Sequence, residues 1–253
     1  MTTLAILQAR TTSSRLPGKV LLPILGKPMI LHQLERVMRS RALDQVVLAT
    51  SIDPSDDELA ALCSQVGYPV FRGDLQDVLA RYQACAVANG CDTVVRLTGD
   101  CPLSDPAVID EIVDAFHAGQ WDYLSNSADE KALTVPDGCD VEVFRRELLD
   151  QAAAQAVLPS EREHVTPWMR RPDMPIRSGH YRHQEPTPFY RLTVDDPRDF
   201  ALVNAVFEAL APEKADFDLA DVIAFLERNP VLAHSNLDTV RNEGYLRSVA
   251  ADA

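Results

Sequence analysis

The chain contains 253 residues, of which 46% are hydrophobic, 25% are charged and 6% are aromatic. This composition favours one large domain, or one domain with a sub-domain, that can bury a proper hydrophobic core. With 24 Lys and Arg against 38 Asp and Glu, the formal net charge is −14. Nucleic acids and anionic membranes are bound through a basic face, so neither is an expected partner.

Cysteine usage and hydropathy point to the cytoplasm. The five cysteines are odd in number and contain no C-x-x-C pair, which argues against a disulfide framework and a structural zinc site. No apolar run has the length that a secretory signal or a membrane span requires. We therefore expect a reduced, cytoplasmic protein without a membrane segment.

The first half of the chain alternates strand and helix patterns. Residues 4–7 predict a buried strand, the polar run 9–19 a long functional loop, and residues 28–39 a helix. Further strands are predicted at 45–49, 68–71 and 93–97, and further helices over 75–88 and after Ser55, which would form a capping box with Glu58. This spacing suits βαβ crossovers. The expected fold class is α/β, with a mostly parallel central sheet and helices on both faces.

After Phe116 the rhythm changes. The patterns predict strands at 123–124 and 140–144 and helices at 145–156 and about 160–169. We interpret residues 121–190 as an inserted substrate-side lobe within a single domain that spans 1–253.

The last part of the chain returns to the first pattern. A strand at 190–194 is expected to rejoin the sheet, and Asp195 or Asp196 to cap the helix that begins at Pro197. One more amphipathic helix and a polar tail are expected from Phe217 onwards.

The predicted loop after the first strand carries a basic island. Residues 1–34 contain no acidic residue, and the loop itself contributes Arg10, Arg15 and Lys19. It is not a Walker A loop, and the chain has no G-x-G-x-x-G motif. Guanidinium groups chelate phosphate oxygens, so this loop can cradle a polyphosphate. The alternative interpretation is a solvated basic loop.

Two aspartates are predicted at the ends of strands, beside that loop. Asp100 follows the strand that ends near Leu97, and Asp195 follows the predicted strand 190–194. Mg²⁺ prefers one or two carboxylates together with phosphate oxygens and water. Each aspartate can also be explained as a turn or helix-cap residue. Together with the basic loop they suit metal-assisted phosphoryl or nucleotidyl transfer.

Six segments resemble a known family. They are AILQARTTSSRLPGKVLLPILGKPM, VFRGDLQDVLARY, VVRLTGDCPLSDP, PDGCDVEVF, EREHVTPWM and RLTVDDPRDF. In this order they look like the cytidylyltransferase family of spore-coat polysaccharide biosynthesis protein F, a relative of the CMP-sugar synthetases that activate 3-deoxy-manno-octulosonate and sialic-type acids. The resemblance runs from about residue 3 to residue 210.

The resemblance implies a nucleotide-diphosphosugar-transferase-like, Rossmann-like fold. It also implies CTP as donor, Mg²⁺ as cofactor, a CMP-sugar and pyrophosphate as products, a role in surface polysaccharide biosynthesis, and a homodimer. Catalytic roles carry over to Lys19, Arg15 and Asp100, and Mg²⁺ ligation to Asp100 and Asp195. Nucleotide contacts carry over to Gln8, Ala9, Arg10, Ser14, Arg15, Lys19, Arg72, Asp77 and Thr98. Sugar contacts carry over to Asp140, Glu142, Glu163, His164 and Arg191.

Several alternatives remain open at the level of sequence. Asp195 or a metal-bound water could accept the proton of the attacking sugar hydroxyl. His164 can equally be a structural histidine. A sugar acid would need a cation, for which Arg96, Arg145, Arg177, Arg182 and Arg191 are candidates, with Arg191 ranked first. The competing functions are a glycosyltransferase that uses a nucleotide sugar, which would prefer a D-x-D motif that this chain lacks at Asp100, and a catalytically silent nucleotide-binding protein.

Overall fold

The computed structural model describes residues 1–183 and 186–252. The strands are β1 (Thr3–Gln8), β2 (Pro23–Ile24), β3 (Lys27–Pro28), β4 (Gln45–Ser51), β5 (Val70–Gly73), β6 (Thr93–Thr98), β7 (Tyr123–Ser125), β8 (Glu142–Arg145) and β9 (Ser178–His180). The α-helices are α1 (Met29–Val37), α2 (Asp57–Gln65), α3 (Val78–Asn89), α4 (Pro106–Gly119), α5 (Arg146–Gln155), α6 (Pro159–His164), α7 (Pro197–Leu210), α8 (Leu219–Arg228), α9 (Pro230–Ala233) and α10 (Glu243–Ala251).

The central sheet has seven strands in the order β5-β4-β1-β6-β8-β7-β9, and β2 pairs with β3 in a separate small hairpin. β1 pairs in parallel with both β4 and β6, and β7 pairs in parallel with β9. β8 is antiparallel to both of its neighbours, β6 and β7. All strands of the sheet except β8 therefore point the same way, which confirms the predicted, mostly parallel sheet.

The two faces of the sheet are covered by different helices. Along β1 the side chains alternate, as the pleat requires. Leu4 and Ile6 pack with α3, α5 and the ring of Phe144. Ala5 and Leu7 pack on the other face, against α1, α4 and α7. Both faces are buried, which explains why this strand reads as a continuous apolar run.

The start of the second helix differs from the prediction. Ser55 does not cap it. The carboxylate of Asp53 accepts a hydrogen bond from the Ser55 backbone N–H and begins a short 3-10 turn over Pro54–Asp56, and α2 continues from that turn. Asp56 is fully buried, and its carboxylate tolerates this because it accepts from the N–H of Thr11 at 2.8 Å and from the hydroxyl of Ser51. The capping prediction was wrong because Asp53, two positions earlier, caps the 3-10 turn that precedes the helix.

The predicted strand 190–194 is not part of the sheet. Its backbone bonds to two loops instead, with Leu192 N–H donating to Asp137 O and Val194 N–H donating to Asp100 O, both at 2.7 Å. The chain thereby delivers residue 195 to the end of β6. The edge strand β9 was not predicted. Residues 121–190 contribute β7, β8 and β9 to the common sheet, and their interpretation as a substrate-side lobe stays a prediction; Gln184 and Glu185 lie outside the described residues.

The C-terminal part is more structured than the expected helix and polar tail. The carboxylate of Asp196 caps α7, as predicted, and α8 follows with its own capping box at Asp218. After α9 the chain turns at Asn242, whose left-handed backbone (φ 55°) redirects it into α10. α10 packs against α6. Among the described helices none is long and apolar enough to cross a membrane.

Candidate active site

A cavity of about 610 Å³ opens at the carboxyl ends of β1 and β6. The loop after β1, the loop after β6 and residues 191–195 line it, and the C-terminal residues 241–247 line it as well. Open α/β sheets bind ligands at this edge. The predicted residues that line the cavity are Gln8, Ala9, Arg10, Ser14, Arg15, Lys19, Thr98, Asp100, Asp140, Glu142, His164, Arg191 and Asp195.

The close approach of the two strand ends depends on a glycine. The N–H of Gly99 donates to Gln8 O at 2.7 Å. A Cβ atom at position 99 would lie 2.6 Å from the Cβ of Ala9 and 3.0 Å from Gln8 O. Only glycine allows this contact. It fixes the loop that carries Asp100 against the loop that carries the basic residues.

Lys19 lies at the centre of the site. Its ammonium donates to Val194 O at 2.6 Å, to Asp195 Oδ1 at 3.0 Å and to Asp100 Oδ2 at 3.3 Å. The side chain is only 10% exposed. Burial by itself lowers the pKa of this lysine, but the two carboxylates outweigh that effect and raise it. Lys19 is therefore a fixed positive charge with three acceptors around it.

Asp100 remains ionised in spite of its surroundings. Burial acts to raise its pKa, whereas the charge of Lys19 and the hydroxyl of Thr98 lower it, and the net result is a pKa of about 2. The side chain is 28% exposed toward the cavity. Oδ1 accepts a weak hydrogen bond from the thiol of Cys101 at 3.5 Å. This oxygen suits a hard cation such as Mg²⁺.

Asp195 is surrounded by cations. Oδ1 also accepts from Arg15 at 2.9 Å, and Oδ2 accepts from Arg191 at 2.8 Å. Lys19 and Arg15 thus engage Oδ1, while Oδ2 accepts from Arg191 and keeps a second lone pair for a cation such as Mg²⁺. Within the described residues, no group of three or more His, Cys, Asp or Glu converges on a metal position. A pair of aspartates still fits Mg²⁺, which keeps water and phosphate oxygens as its other ligands.

Arg191 does not fit the role of binding an acceptor carboxylate. Its guanidinium pairs with Asp137 at 2.9 Å and Asp199 at 3.0 Å in addition to Asp195, and it is 3% exposed. It organises carboxylates of the protein itself. Of the other candidate cations, Arg96 lines the cavity but pairs with Glu142. Arg145, Arg177 and Arg182 do not line it.

Two predicted nucleotide contacts lie away from the cavity. Arg72, on β5, donates to Ser51 O at 2.8 Å and pairs with Asp57 at 2.6 Å. Asp77 caps α3 by accepting from Ala80 N–H at 2.9 Å, and it pairs with Arg162. Neither residue lines the cavity. Both side chains have protein partners in this structure, and their contacts to cytosine or ribose stay a prediction.

The predicted sugar contacts are only partly available. Glu142 is buried and accepts from Arg96, Tyr123 and Thr166. Glu163 does not line the cavity and accepts from the hydroxyl of Ser248 at 2.5 Å. Burial and the charge of Arg96 lower the pKa of His164 to about 4, so this imidazole is neutral near pH 7.

Arg241 and Arg170 are among the lining residues that the sequence analysis did not predict. Arg241 donates to Asp137 at 3.0 Å and to both oxygens of Asp140 at 3.0 and 2.9 Å. Arg170 stacks 5.7 Å above the ring of Tyr245, and its buried Nε has no hydrogen-bond partner within the part of the chain described. No motif singles out either arginine. They reach the cavity only through the folding of distant segments.

The comparisons with known proteins agree on one family. Residues 4–240 match the family model described as Cytidylyltransferase. The spore coat polysaccharide biosynthesis protein SpsF of Bacillus subtilis is 36% identical over 90% of this chain and 95% of its own length. An uncharacterized protein of Methanocaldococcus jannaschii is 32% identical over 97% of this chain and 98% of its own.

Solved structures share the architecture. A cytidylyltransferase from Leptospira borgpetersenii superposes with a TM-score of 0.86 at 31% identity, over 96% of this chain and all of that one. The CMP:2-keto-3-deoxy-manno-octonic acid synthetase complexed with CTP superposes with a TM-score of 0.63 at 21% identity, over 82% and 99%. The second likeness concerns the fold alone.

Proposed function

This chain belongs to the cytidylyltransferase family, and from that premise we propose that it transfers CMP from CTP to a hydroxyl of a sugar or sugar acid. Pyrophosphate is the other product, and the CMP-sugar serves surface polysaccharide biosynthesis. The observation that carries the proposal is the Lys19 ammonium, held at 3.0 and 3.3 Å from two carboxylates at the carboxyl edge of the sheet. Two further cations of the same loop, Arg10 and Arg15, line the same cavity.

The basic loop would hold the triphosphate. Arg10 is 40% exposed and has one long ion pair, to Glu163 at 3.9 Å, so its guanidinium is available to phosphate oxygens. Lys19 lies deeper and is held in place. A fixed ammonium stabilises the charge that develops as the sugar hydroxyl attacks the α-phosphorus in line and pyrophosphate leaves. No covalent intermediate with the protein is needed.

Asp100, with Asp195 as the second carboxylate, would hold Mg²⁺. The ion, when bound, neutralises charge on the phosphate oxygens. Asp195 is a poor candidate for the general base because its two oxygens already accept from Lys19, Arg15 and Arg191. The proton of the acceptor hydroxyl would then leave through a water rather than through Asp195.

An acidic acceptor would be recognised by Arg170 rather than by Arg191. Arg170 lines the cavity and its Nε is buried without a hydrogen-bond partner, although its charge also acts on the buried carboxylate of Glu142. Buried guanidinium donors without acceptors are costly, and a carboxylate of the acceptor would satisfy them. Arg170 also lines a second cavity of about 600 Å³. We therefore favour a sugar acid over a neutral sugar.

The remaining parts of the proposal concern compartment and assembly. All five cysteines are unpaired and buried, which supports a reducing compartment such as the cytoplasm. A homodimer is implied by the resemblance, and light scattering on the purified chain tests it.

The test is an acceptor screen. The protein is incubated with CTP, Mg²⁺ and a panel of sugar acids and matched neutral sugars, and released pyrophosphate is measured. We expect pyrophosphate with at least one sugar acid, and none when GTP or UTP replaces CTP. Tight binding of a nucleotide sugar without pyrophosphate from any acceptor would support a glycosyltransferase instead. Nucleotide binding without any turnover would support a catalytically silent protein.

A further inference from the structure

The last described helix belongs to the cavity, although it lies outside the family match. That match ends at residue 240. From Arg241 onward the chain crosses the cavity, and residues 241–247 line it. We refer to residues 241–251 as the C-terminal strap. Arg241 anchors its start through Asp137 and Asp140.

A carboxylate of the strap forms an ion pair with Arg15, a cation that the proposed function assigns to nucleotide binding. Oε2 of Glu243 accepts from Arg15 Nη1 at 2.8 Å, while Arg15 Nη2 contacts Asp195 at 2.9 Å. Both terminal nitrogens of Arg15 are thus held by carboxylates of the protein. A triphosphate that takes Arg15 as a ligand therefore competes with Glu243, because neighbouring anions on one guanidinium repel each other.

The strap is held by polar contacts rather than by apolar burial. No residue of α10 is buried, and Leu246 and Val249 are 54% and 43% exposed. The helix contacts α6 through Ser248, which bonds to Glu163 and, at 3.1 Å, to His164, and through the half-buried ring of Tyr245, whose centroid lies 5.3 Å from that of His164. Elements with little buried apolar surface open at low free-energy cost. The strap can therefore leave the cavity without disturbing the core.

We propose that the C-terminal strap is displaced when the triphosphate binds, because Glu243 and the phosphates compete for Arg15. The inference rests on the proposed function, since it requires that CTP is the ligand. Its consequence is that the chain in its free form keeps its phosphate-binding arginine occupied. Part of the binding free energy of CTP is then used to release the strap.

The experiment is a calorimetric titration of full-length protein with CTP in the presence of Mg²⁺. Glu243→Gln should lower the dissociation constant about two- to fivefold, the range that corresponds to one partly exposed ion pair. Glu213→Gln, an equal charge change at an exposed position outside the cavity, should leave it unchanged. In hydrogen exchange, the amides of α10 should exchange faster with bound CTP than in the free protein.

A second variant separates competition from simple loosening of the helix. Glu243 also pairs with Arg247 within α10. Arg247→Gln removes that pair but keeps the contact to Arg15, so it should not tighten CTP binding. Equal tightening by both variants, no tightening by Glu243→Gln, or slower or unchanged exchange of α10 with bound CTP would overturn the proposal. If neither wild type nor variant binds CTP, the proposed function itself fails, and this inference with it.

Discussion

Lys19 shows how one residue can serve both the fold and the chemistry. Its ammonium joins the loop after β1 to Asp100 and to residues 194–195, which are far apart in the sequence. The three acceptors hold it in one position before any ligand arrives. A charge that is already in place does not have to reorganise during the reaction, which is the condition under which electrostatic stabilisation is most effective.

Replacing Lys19 by alanine should lower kcat by about two to three orders of magnitude, the effect of losing one preorganised charge-stabilising donor. Turnover is measured with the acceptor found in the screen, and thermal unfolding of the variant is measured beside it. Lys27→Ala is the matched control, because Lys27 lies in the same acid-free segment but pairs with Glu35 outside the cavity. An unchanged kcat with only a tenfold higher KM for CTP would show that Lys19 contributes to binding of CTP in the ground state and not to the transition state.

The depressed pKa of Asp100 predicts a defined acid sensitivity. Its pKa falls from the ordinary 3.8 to about 2 in the folded protein, so the ion pair with Lys19 contributes fully above about pH 5 and is lost as the pH falls from 4 to 2. Urea unfolding at pH 5 and pH 3 should show that wild type loses about 1 kcal/mol more than Asp100→Asn between these pH values. Equal losses would mean that Asp100 is not stabilised as a carboxylate.

At the scale of elements, the site depends on the contact between the ends of β1 and β6. Parallel pairing brings Gln8 beside Thr98, and the chain then has to leave both strands without separating them. Gly99 makes this possible because it has no Cβ to collide with Ala9. The basic loop and Asp100 thus owe their proximity to the sheet rather than to each other.

Gly99→Ala should therefore destabilise the protein by about 1–3 kcal/mol, as overpacking of a tight contact does, and it should reduce turnover. The Cβ would meet backbone atoms of Gln8 and Ala9 that cannot move independently of β1. Denaturant unfolding measures the effect. Gly244→Ala is the control for stability, because a Cβ there has no atom within 4 Å. Equal stability of both variants would show that the strand ends can separate freely.

At the scale of the whole molecule, the sequence predicted what is local and missed what is distant. Apolar periodicity located β1, α1, β4 and β6, and strand–loop chemistry located Lys19 and Asp100 in one cavity. The same periodicity wrongly assigned residues 190–194 to a strand of the sheet. A short apolar run has the same sequence pattern whether its backbone pairs with a strand or with loops.

The residues that reach the cavity from distant segments of the chain belong to no local sequence pattern. Arg170 and Arg241 reach the cavity from a short 3-10 turn and from the C-terminal segment, and neither segment has a motif. Conversely, Arg72 and Asp77 resemble nucleotide contacts by position, yet nearby partners on the surface engage both side chains. Which arginines face a cavity is decided by tertiary packing, and a single sequence carries little information about it.

The buried thiols have a practical consequence. Burial raises the pKa of Cys63 and Cys91 to about 11 and that of Cys85 to about 12, and it also raises those of Cys101 and Cys139. Thiolates are the reactive form, so the native protein should be nearly inert toward alkylating reagents at neutral pH. Cys101 lines the cavity, next to Asp100. The rate of alkylation can therefore be used as a probe of the wild-type chain. Slow labelling of Cys101 would report access to the cavity, and rapid labelling of all five thiols would report unfolding.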